Sequence, residues 1–263
     1  MKDPVLITEV LSRSEQGTTR PFLCRGEDGQ LYYVKGRYAG LRSLCCEWVG
    51  GRLAEKLGLR TPQITMVEVP EKLIECSARP DIKDLGEGLA FGSARVEAAQ
   101  EISWESLQYI PWHNQALILF FDWWVQNEDR TLSACGGNPN LLITAGPPDE
   151  EIWLEQAEQM PSIIWTFDFN LAFDPPFHKG RFWDGHIFAA ARRHWSADFM
   201  AETTRRVELI MKDFLFLFAS LPEAWLYIDG DDNLPMQLDL DVVLRTLRRP
   251  LDQPAEFWSN HER

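Results

Sequence analysis

Two apolar segments, each followed by an acidic residue, limit the folds that this sequence can adopt. Asp129 follows the run FFDWWVQNE, and Asp168 follows the run IIWTF. Asn140 stands between them, directly before Leu-Leu-Ile. Apolar segments of this kind are buried in a fold, so they anchor two carboxylates and one amide. These are the groups that phosphoryl transfer requires, because one carboxylate orients the attacking hydroxyl and the other holds magnesium together with the amide.

The charge balance restricts the partners of the chain. Its 263 residues carry a formal net charge of −14, and the pI is about 4.8. Binding to nucleic acid or to an anionic membrane surface relies on Lys and Arg, so we expect neither partner. The pairs Arg192-Arg193, Arg205-Arg206 and Arg248-Arg249 are typical of solvated helix faces.

Length and cysteine usage indicate the broad class of protein. With 263 residues, 45% of them hydrophobic, the chain forms one large domain or a two-lobed unit. The 5 cysteines are odd in number and include no CxxC, which is typical of reduced thiols. Residues 1–30 lack the pattern of a signal peptide, and the longest apolar runs are too short or too charged to span a bilayer. The sequence therefore predicts a cytoplasmic protein that is not embedded in a membrane.

An antiparallel sheet is predicted at the N-terminus. Residues 4–11, 22–24 and 31–35 have the composition of strands. Asp28-Gly29 separates the last two and is a strong hairpin signal, because Gly accepts the positive φ that such a turn requires.

A polar loop, residues 12–20, joins the first two of these strands. It contains Ser14, Gly17 and Thr18, whose small side chains allow backbone N–H groups to face an anion. It matches neither GxGxxG nor the P-loop pattern. From these residues alone, a phosphate-binding loop and an ordinary surface loop both stay open.

A lysine at the end of the third strand and a glutamate on the next helix form a candidate pair. Lys35 lies in the apolar stretch Tyr-Val-Lys-Gly, where an unpaired ammonium is costly to bury. The apolar spacing predicts a helix from Ser43, its N-cap, to Leu57, with Gly58 at the C′ position. Glu47 lies beside the apolar stripe, and two interpretations stay open. Either Glu47 faces inward and pairs with Lys35, or an edge lysine and a rim glutamate both face water.

The chain is predicted to divide into an N-terminal lobe of residues 1–100 and a C-terminal lobe of residues 101–263. The second lobe contains a buried helix at residues 112–126 and is otherwise mainly helical. Residues 146–158 are rich in Pro and acid, which predicts an exposed insertion. Residues from Pro250 onward are expected to form a loosely held tail.

Taken in order, the motifs YVKG, NEDR, NPNLLI and TFDFNLAF, with Glu47 on the intervening helix, resemble the HipA-like kinase family. The resemblance covers roughly residues 5–175 and extends more distantly to the protein-kinase-like and phosphatidylinositol-kinase-like fold. It implies a bilobal α+β fold with an antiparallel-sheet N-lobe and a mainly helical C-lobe. It also implies an ATP- and Mg²⁺-dependent kinase, of the Ser/Thr type, acting on a hydroxyl of a protein or a small molecule.

The same resemblance implies roles for the residues of the second lobe. Asp129 would be the catalytic carboxylate that orients the substrate hydroxyl or accepts its proton. Arg130 would help to shape the catalytic loop. Asn140 and Asp168 would be the magnesium ligands.

Further roles follow for the first lobe. Lys35 would contact the phosphates of the nucleotide, and Glu47 would hold Lys35 in place. The polar loop, with Ser14, Gly17 and Thr18, would cover the phosphates.

The sequence departs from this kinase pattern at two points. Asp129 and Asn140 are 11 positions apart, whereas the corresponding residues of protein kinases are about five apart. Asn138 is therefore a second candidate ligand. At the second point, Phe169 and Asn170 follow Asp168 in place of the Phe-Gly of protein kinases, so Asn170 is a further polar candidate. A pseudokinase that binds a nucleotide or a protein is the alternative interpretation, and nucleotidyl transfer on the same fold is a third.

Overall fold

The computed structural model of this chain describes residues 3–15, 17–145, 162–174, 177–227, 236 and 238–259. The insertion predicted at residues 146–158 lies outside the described residues. Of the helices that are described, none combines the length and the apolar character that crossing a membrane requires.

The N-terminal strands close into a barrel. Their bounds are β1 (Val5–Arg13), β2 (Phe22–Gly26), β3 (Leu31–Lys35), β4 (Ile64–Val69) and β5 (Gly88–Ala94). The order around the barrel is β1-β2-β3-β5-β4. All neighbours pair antiparallel except β1 and β4, which run parallel with Val5 opposite Val67. The prediction of an antiparallel sheet is thus right for most pairs but misses the closure, because the closing pair joins strands that are distant in sequence.

The predicted hairpin between the second and third strands is confirmed. Arg25 of β2 lies opposite Leu31 of β3. Gly29 adopts the positive φ of 80° that the turn requires. Asp28 then accepts a hydrogen bond of 2.6 Å from the Tyr32 hydroxyl.

Alternate residues of β4 face two different hydrophobic clusters. Val67 and Val69 point into the barrel, whereas Ile64 and Met66 belong to a larger cluster shared with the helices. This follows from the two-residue period of a strand, which sends successive side chains to opposite faces. Strand β4 therefore contributes to both clusters, and the division of the chain at residues 100 and 101 stays a prediction.

Helix α1 (Leu41–Leu57) packs between the barrel and the C-terminal helices. Its N-cap is Gly40 rather than the predicted Ser43, and Gly58 ends it in the left-handed region as predicted. A Cβ at Gly50 would lie 2.6 Å from the Cβ of Phe169. The missing side chain thus lets α1 lie directly against the segment that follows Asp168.

Helix α3 (Trp112–Val125) confirms the predicted apolar helix, and every residue from 118 to 125 is buried.

The three strands of a second, antiparallel sheet run in the order β6-β7-β8, with bounds β6 (Gln100–Glu101), β7 (Leu141–Ala145) and β8 (Ser162–Thr166). Leu141 pairs with Thr166. The start of β7 therefore lies beside the end of β8, which brings Asn140 and Asp168 to the same edge of the sheet.

The remaining helices complete the larger cluster. Their bounds are α2 (Glu71–Glu75), α4 (Lys179–Gly185), α5 (Ala197–Phe218), α6 (Leu240–Asp252) and α7 (Pro254–Ser259). Short 3-10 helices occupy Arg37–Ala39, Ile82–Asp84, Glu105–Tyr109, Ala189–His194 and Glu223–Trp225.

The expectation of a loose tail after Pro250 is wrong for residues 250–259, the part of this segment that the structure describes. Phe257 and Trp258 on α7 are buried, with exposed fractions of 3% and 8%. Phe120 of α3 stacks on Trp258 with ring centroids 5.3 Å apart. The sequence signal was present in the pair Phe-Trp, but its burial depends on contacts with residues far away in the chain.

Candidate active site

A cleft of about 730 Å³ gathers the predicted site residues. It is bordered by the barrel, α1 and the second sheet. Its lining includes every candidate except Arg130 and Asn170, namely Ser14, Gly17, Thr18, Lys35, Glu47, Asp129, Asn138, Asn140 and Asp168. Residues spread over more than half of the sequence thus face one space.

Lys35 lies between two carboxylates. Its Nζ donates a hydrogen bond to Glu47 Oε1, and a second one of 2.8 Å to Asp168 Oδ1. The predicted pairing of Lys35 with Glu47 is therefore confirmed. Asp168 is the additional partner, and it comes from a position 133 residues away.

Glu47 also fixes the backbone beside Asp168. The Phe169 N–H donates to Glu47 Oε2 at 3.0 Å, so both carboxylate oxygens are in use. Only 2% of the Glu47 residue surface is exposed. An ion pair buried this deeply persists because each charge has a partner with hydrogen-bonding geometry.

The three charges of this group influence one another. Burial disfavours a charged ammonium, but Glu47 and then Asp168 more than offset it, so the pKa of Lys35 lies above its ordinary value. Burial raises the pKa of Glu47 against the pull of Lys35. Burial also acts to raise the pKa of Asp168, yet Lys35 lowers it below its ordinary value. Asp168 is accordingly the carboxylate that stays ionised most readily.

Both asparagine candidates contact Asp129. The Asn140 Nδ2 donates to Asp129 Oδ2 at 3.0 Å, and the Asn138 Nδ2 donates to Asp129 Oδ1 at 3.3 Å. Asn140 is buried, with 8% of its surface exposed, whereas Asn138 is exposed. The side-chain amide of Asn140 is therefore fixed more firmly than that of Asn138.

The extra residues between Asp129 and Asn140 form a small closed loop. Ser133 and Gly136 exchange two backbone hydrogen bonds of 3.0 Å. At its base, the Thr131 N–H donates to the carbonyl of Asn138 at 2.9 Å. The loop therefore projects outward and returns the chain to Asp129, which reconciles the long spacing with a compact site.

Two of the site residues have a left-handed backbone. The φ angle is 48° at Asn140 and 61° at Asp168. This region is uncommon for residues other than Gly, although Asn and Asp enter it more readily than most. Such conformations persist where surrounding contacts fix them, and they cluster at functional sites.

Arg130 does not reach the cleft. Its side chain is fully buried, and Nη1 donates to the carbonyls of Pro139 at 3.0 Å and Asn140 at 2.6 Å. Its Nε donates to Asp122 at 2.6 Å. The resemblance implied that Arg130 helps to shape the catalytic loop, and its side chain lies behind that loop in contact with Asp122 and with the carbonyls of Pro139 and Asn140.

Asp122 and His186 are site-associated residues that the sequence analysis missed. Asp122 lies on the buried face of α3, and His186 Nε2 lies 2.9 Å from its Oδ2. The available signal was a single charged residue in an otherwise apolar helix, since an unpaired buried carboxylate is costly. Its partner His186 lies 64 positions further on, which no local pattern reveals.

The polar loop is anchored at its base. The Ser14 N–H donates to the Pro21 carbonyl at 2.8 Å, and Arg13 Nε donates to the Arg20 carbonyl at 3.1 Å. Gly17 has a positive φ of 75°, and a Cβ there would meet no atom within 4 Å. Backbone rather than side chain therefore borders the cleft at this point.

The donor groups at the sheet edge suit a hard cation. Asp168 offers a carboxylate and Asn140 an amide oxygen, and oxygen ligands of this kind are the ones that Mg²⁺ prefers. Asn170 is buried with an unpartnered Oδ1, but it does not line the cleft. Throughout the described part of the chain, the sheet edge included, no group of three His, Cys, Asp or Glu side chains is arranged to hold a metal.

The fold is α+β and kinase-like. Its cleft, beside a small barrel, is lined by a lysine–glutamate pair, by an aspartate with its asparagine and by a second aspartate. The chain belongs to the HipA-like kinase family, whose sequence model matches residues 7–261. This membership places it among the phosphotransferases.

The comparison with solved structures agrees with the fold. CtkA, a proinflammatory kinase of Helicobacter pylori, is similar over 98% of this chain and 97% of its own, with a TM-score of 0.50 and 9% sequence identity. At this identity the similarity concerns the fold alone. No curated protein matched the sequence.

Proposed function

We propose that this chain transfers the γ-phosphoryl group of ATP, with Mg²⁺, to a hydroxyl group of a protein or small-molecule substrate, in the manner of a Ser/Thr-type kinase. The observation that carries the proposal is the convergence of Lys35, Asp129, Asn140 and Asp168 on one cleft. Each supplies a group that phosphoryl transfer uses, and catalysis of this reaction rests on positioning and electrostatics.

Lys35 would bind the α- and β-phosphates. Its ammonium is held in the cleft by Glu47, so it does not have to be ordered when a nucleotide arrives. Glu47 also accepts the Phe169 N–H, so one carboxylate sets the positions of both Lys35 and the backbone next to Asp168. The polar loop, with Ser14, Gly17 and Thr18, would cover the phosphates through its backbone N–H groups.

Asn140 and Asp168 would hold Mg²⁺, which neutralises charge on the phosphates when bound. A carboxylate only accepts hydrogen bonds, so the contact with Asp129 requires the Nδ2 of Asn140 to face Asp129. The Oδ1 of Asn140 is the atom left for the cation. The same contact orients Asp129, which would accept the proton of the substrate hydroxyl.

Residues 1–100 and 101–263 would act as the two lobes on either side of the nucleotide. Arg130 would serve as a positioning residue for the catalytic loop, since it does not reach the reacting atoms.

The proposal is tested by calorimetry of ATP binding, with and without Mg²⁺, followed by mass analysis of products. Wild type is expected to bind ATP in a Mg²⁺-dependent manner, and Asp168→Ala to lose that dependence. Asp129→Asn is expected to keep binding but to lower kcat by about 10²- to 10⁴-fold, the usual contribution of a general base. Asp213→Ala, on the exposed side of α5, is the matched control.

Absence of ATP binding by the wild type would overturn the proposal. Binding without any transfer would favour a nucleotide-binding module instead. An acceptor that gains the mass of AMP rather than phosphate would assign nucleotidyl transfer.

A further inference from the structure

Asp122 is the centre of a buried polar network behind the catalytic loop. Its Oδ1 accepts from Asn127 Nδ2 at 2.9 Å and from Arg130 Nη2 at 3.4 Å. Its Oδ2 accepts from Arg130 Nε at 2.6 Å and lies 2.9 Å from His186 Nε2. The Asp122 residue has no exposed surface. Four donors from three residues thus converge on one carboxylate.

The network reaches the cleft through Arg130. Its Nη1 donates to the carbonyls of Pro139 and Asn140. These are the last two residues before β7, and Asn140 holds a left-handed backbone with φ of 48°. A backbone in this region requires external contacts to hold it, and Arg130 provides two of them from the buried side.

His186 joins the network in a single tautomer. The Phe188 N–H donates to His186 Nδ1 at 3.0 Å, so Nδ1 must be an acceptor without a proton. The Nε2 therefore carries the hydrogen and donates to Asp122. Backbone contacts extend this link, because the Ile187 N–H donates to the Arg130 carbonyl at 3.1 Å.

The charges of the network balance. Burial acts to raise the pKa of Asp122, but Arg130 and His186 lower it below its ordinary value, so the carboxylate stays ionised. Burial lowers the pKa of His186, which agrees with the neutral ring that the contact from Phe188 requires. One anion and one cation thus share the site with two neutral groups.

We propose that Asp122 is a positioning residue for the reaction: through Arg130 it fixes the backbone of Asn140, so that the Asn140 Nδ2 faces Asp129 and its Oδ1 is the atom that would hold Mg²⁺. The inference rests on the proposed function for its consequence in catalysis. Its structural part, the placing of Asn140 by Asp122 and Arg130, is independent of any activity.

The shape of the guanidinium explains why an arginine is needed. Its planar fork reaches Asp122 on one side and two carbonyls on the other, whereas a lysine presents a single point of donation. Arg130→Lys therefore keeps the charge but loses the bridge. Arg249→Lys is a matched control, because Arg249 is half-buried and also donates to two carbonyls, those of Trp123 at 2.7 Å and Trp124 at 2.8 Å.

The experiment compares wild type with Arg130→Lys, Asp122→Asn and Arg249→Lys in the full chain. The first readout is hydrogen–deuterium exchange of residues 129–140 in the free protein. The second is nitrogen-15 NMR of the His186 ring. The third is kcat and KM for ATP at saturating Mg²⁺, with melting temperatures measured for each variant.

We expect faster exchange of residues 129–140 in Arg130→Lys and Asp122→Asn, and unchanged exchange there in Arg249→Lys. Wild-type His186 is expected as the Nε2–H tautomer, with that preference weakened in Asp122→Asn. In the first two variants kcat should fall about 10- to 100-fold, the usual cost of removing a residue that orients a ligand. KM for ATP should change far less, because Lys35 and Glu47 are untouched.

Unchanged exchange of residues 129–140 in Arg130→Lys would overturn the proposal, whatever the activity. The proposal also fails if Arg130→Lys and Arg249→Lys lose kcat equally and in proportion to their melting temperatures. If Asp122→Asn does not fold, Arg130→Lys carries the test alone. A wild type without kinase activity would refute the proposed function, while exchange and the tautomer would still decide the placing of Asn140.

Discussion

The Asn140 amide donates a hydrogen bond of 3.0 Å to Asp129, although 11 positions separate the two residues. A self-contained loop takes up the extra length between them. The site therefore tolerates an insertion in the catalytic segment because only the ends of that loop need to meet.

This relationship separates the two asparagine candidates. Asn140→Ala should lower kcat/KM by about 10²- to 10³-fold, because a metal ion supplies several kcal/mol of charge stabilisation. Asn138→Ala should change it by no more than roughly twofold, as expected of an exposed side chain. Steady-state assays over a range of Mg²⁺ concentrations measure both. The reverse order of effects would assign the metal to Asn138.

The inserted loop depends on Gly137. Its φ is 154°, and a Cβ there would lie 2.5 Å from the Thr131 carbonyl oxygen. Gly137→Ala should therefore open the base of the loop and lower both activity and the free energy of unfolding. Gly136→Ala is the control, since its φ is 108° but a Cβ would meet nothing within 4 Å. It should cost only the strain of the left-handed backbone, about 1–2 kcal/mol. Equal effects of the two substitutions on activity would contradict this account.

The last helix should contribute strongly to stability. Phe257→Ala removes a ring that is 3% exposed and packs on Phe120 and Trp123, so we expect a loss of about 3–5 kcal/mol in the free energy of unfolding. Phe216→Ala, at 79% exposure, should stay within about 0.5 kcal/mol of wild type. Urea titrations measure the two values. A small loss for Phe257→Ala would mean that α7 is dispensable.

Stability should depend on pH through His186. Its pKa is lowered by burial from an ordinary value of 6.5. Between the folded pKa and 6.5 the unfolded chain binds the extra proton, so stability should fall as the pH falls through this window, by at most about 1.4 kcal/mol per pH unit.

The buried Glu47 acts in the opposite direction in part of this window, because its pKa is raised by burial. The contribution of His186 is therefore read as the difference between wild type and His186→Gln, which keeps a donor toward Asp122. We expect the free energy of unfolding, measured from pH 5 to 7.5, to fall less steeply toward low pH in His186→Gln than in wild type. His178→Gln, at an exposed position, should follow wild type. If the free energy of unfolding of His186→Gln depends on pH in the same way as that of wild type, His186 is not the source of the pH dependence.

Much of the site could be predicted from sequence because its signals are local. Asp129 and Asp168 each follow an apolar segment, and the spacing of Glu47 on its helix pointed it toward Lys35. The hairpin at Asp28-Gly29 was likewise predicted from two adjacent residues.

What escaped prediction depends on distant pairs. The barrel closes through the parallel contact of Val5 with Val67, and Asp122 finds His186 64 positions away. Neither partner is visible in a window of neighbouring residues, since loop closure over such distances is decided by the whole fold. The burial of Phe257 escaped for the same reason, because its contacts are with α3.

Helix α1 connects the Lys35–Glu47 ion pair in the cleft to the packing of the C-terminal helices. Glu47 stands on a helix fastened to the C-terminal helices, where Trp48 Nε1 donates to Ser220 at 2.9 Å and Cys45 packs in the same cluster. Lys35 stands on a strand of the barrel, whose interior is a separate cluster. The bond between them therefore joins elements that pack in two hydrophobic clusters, which meet at β4. Heating that loosens the packing around either residue should break the Lys35–Glu47 bond and inactivate the protein at a lower temperature than the one at which the whole chain unfolds.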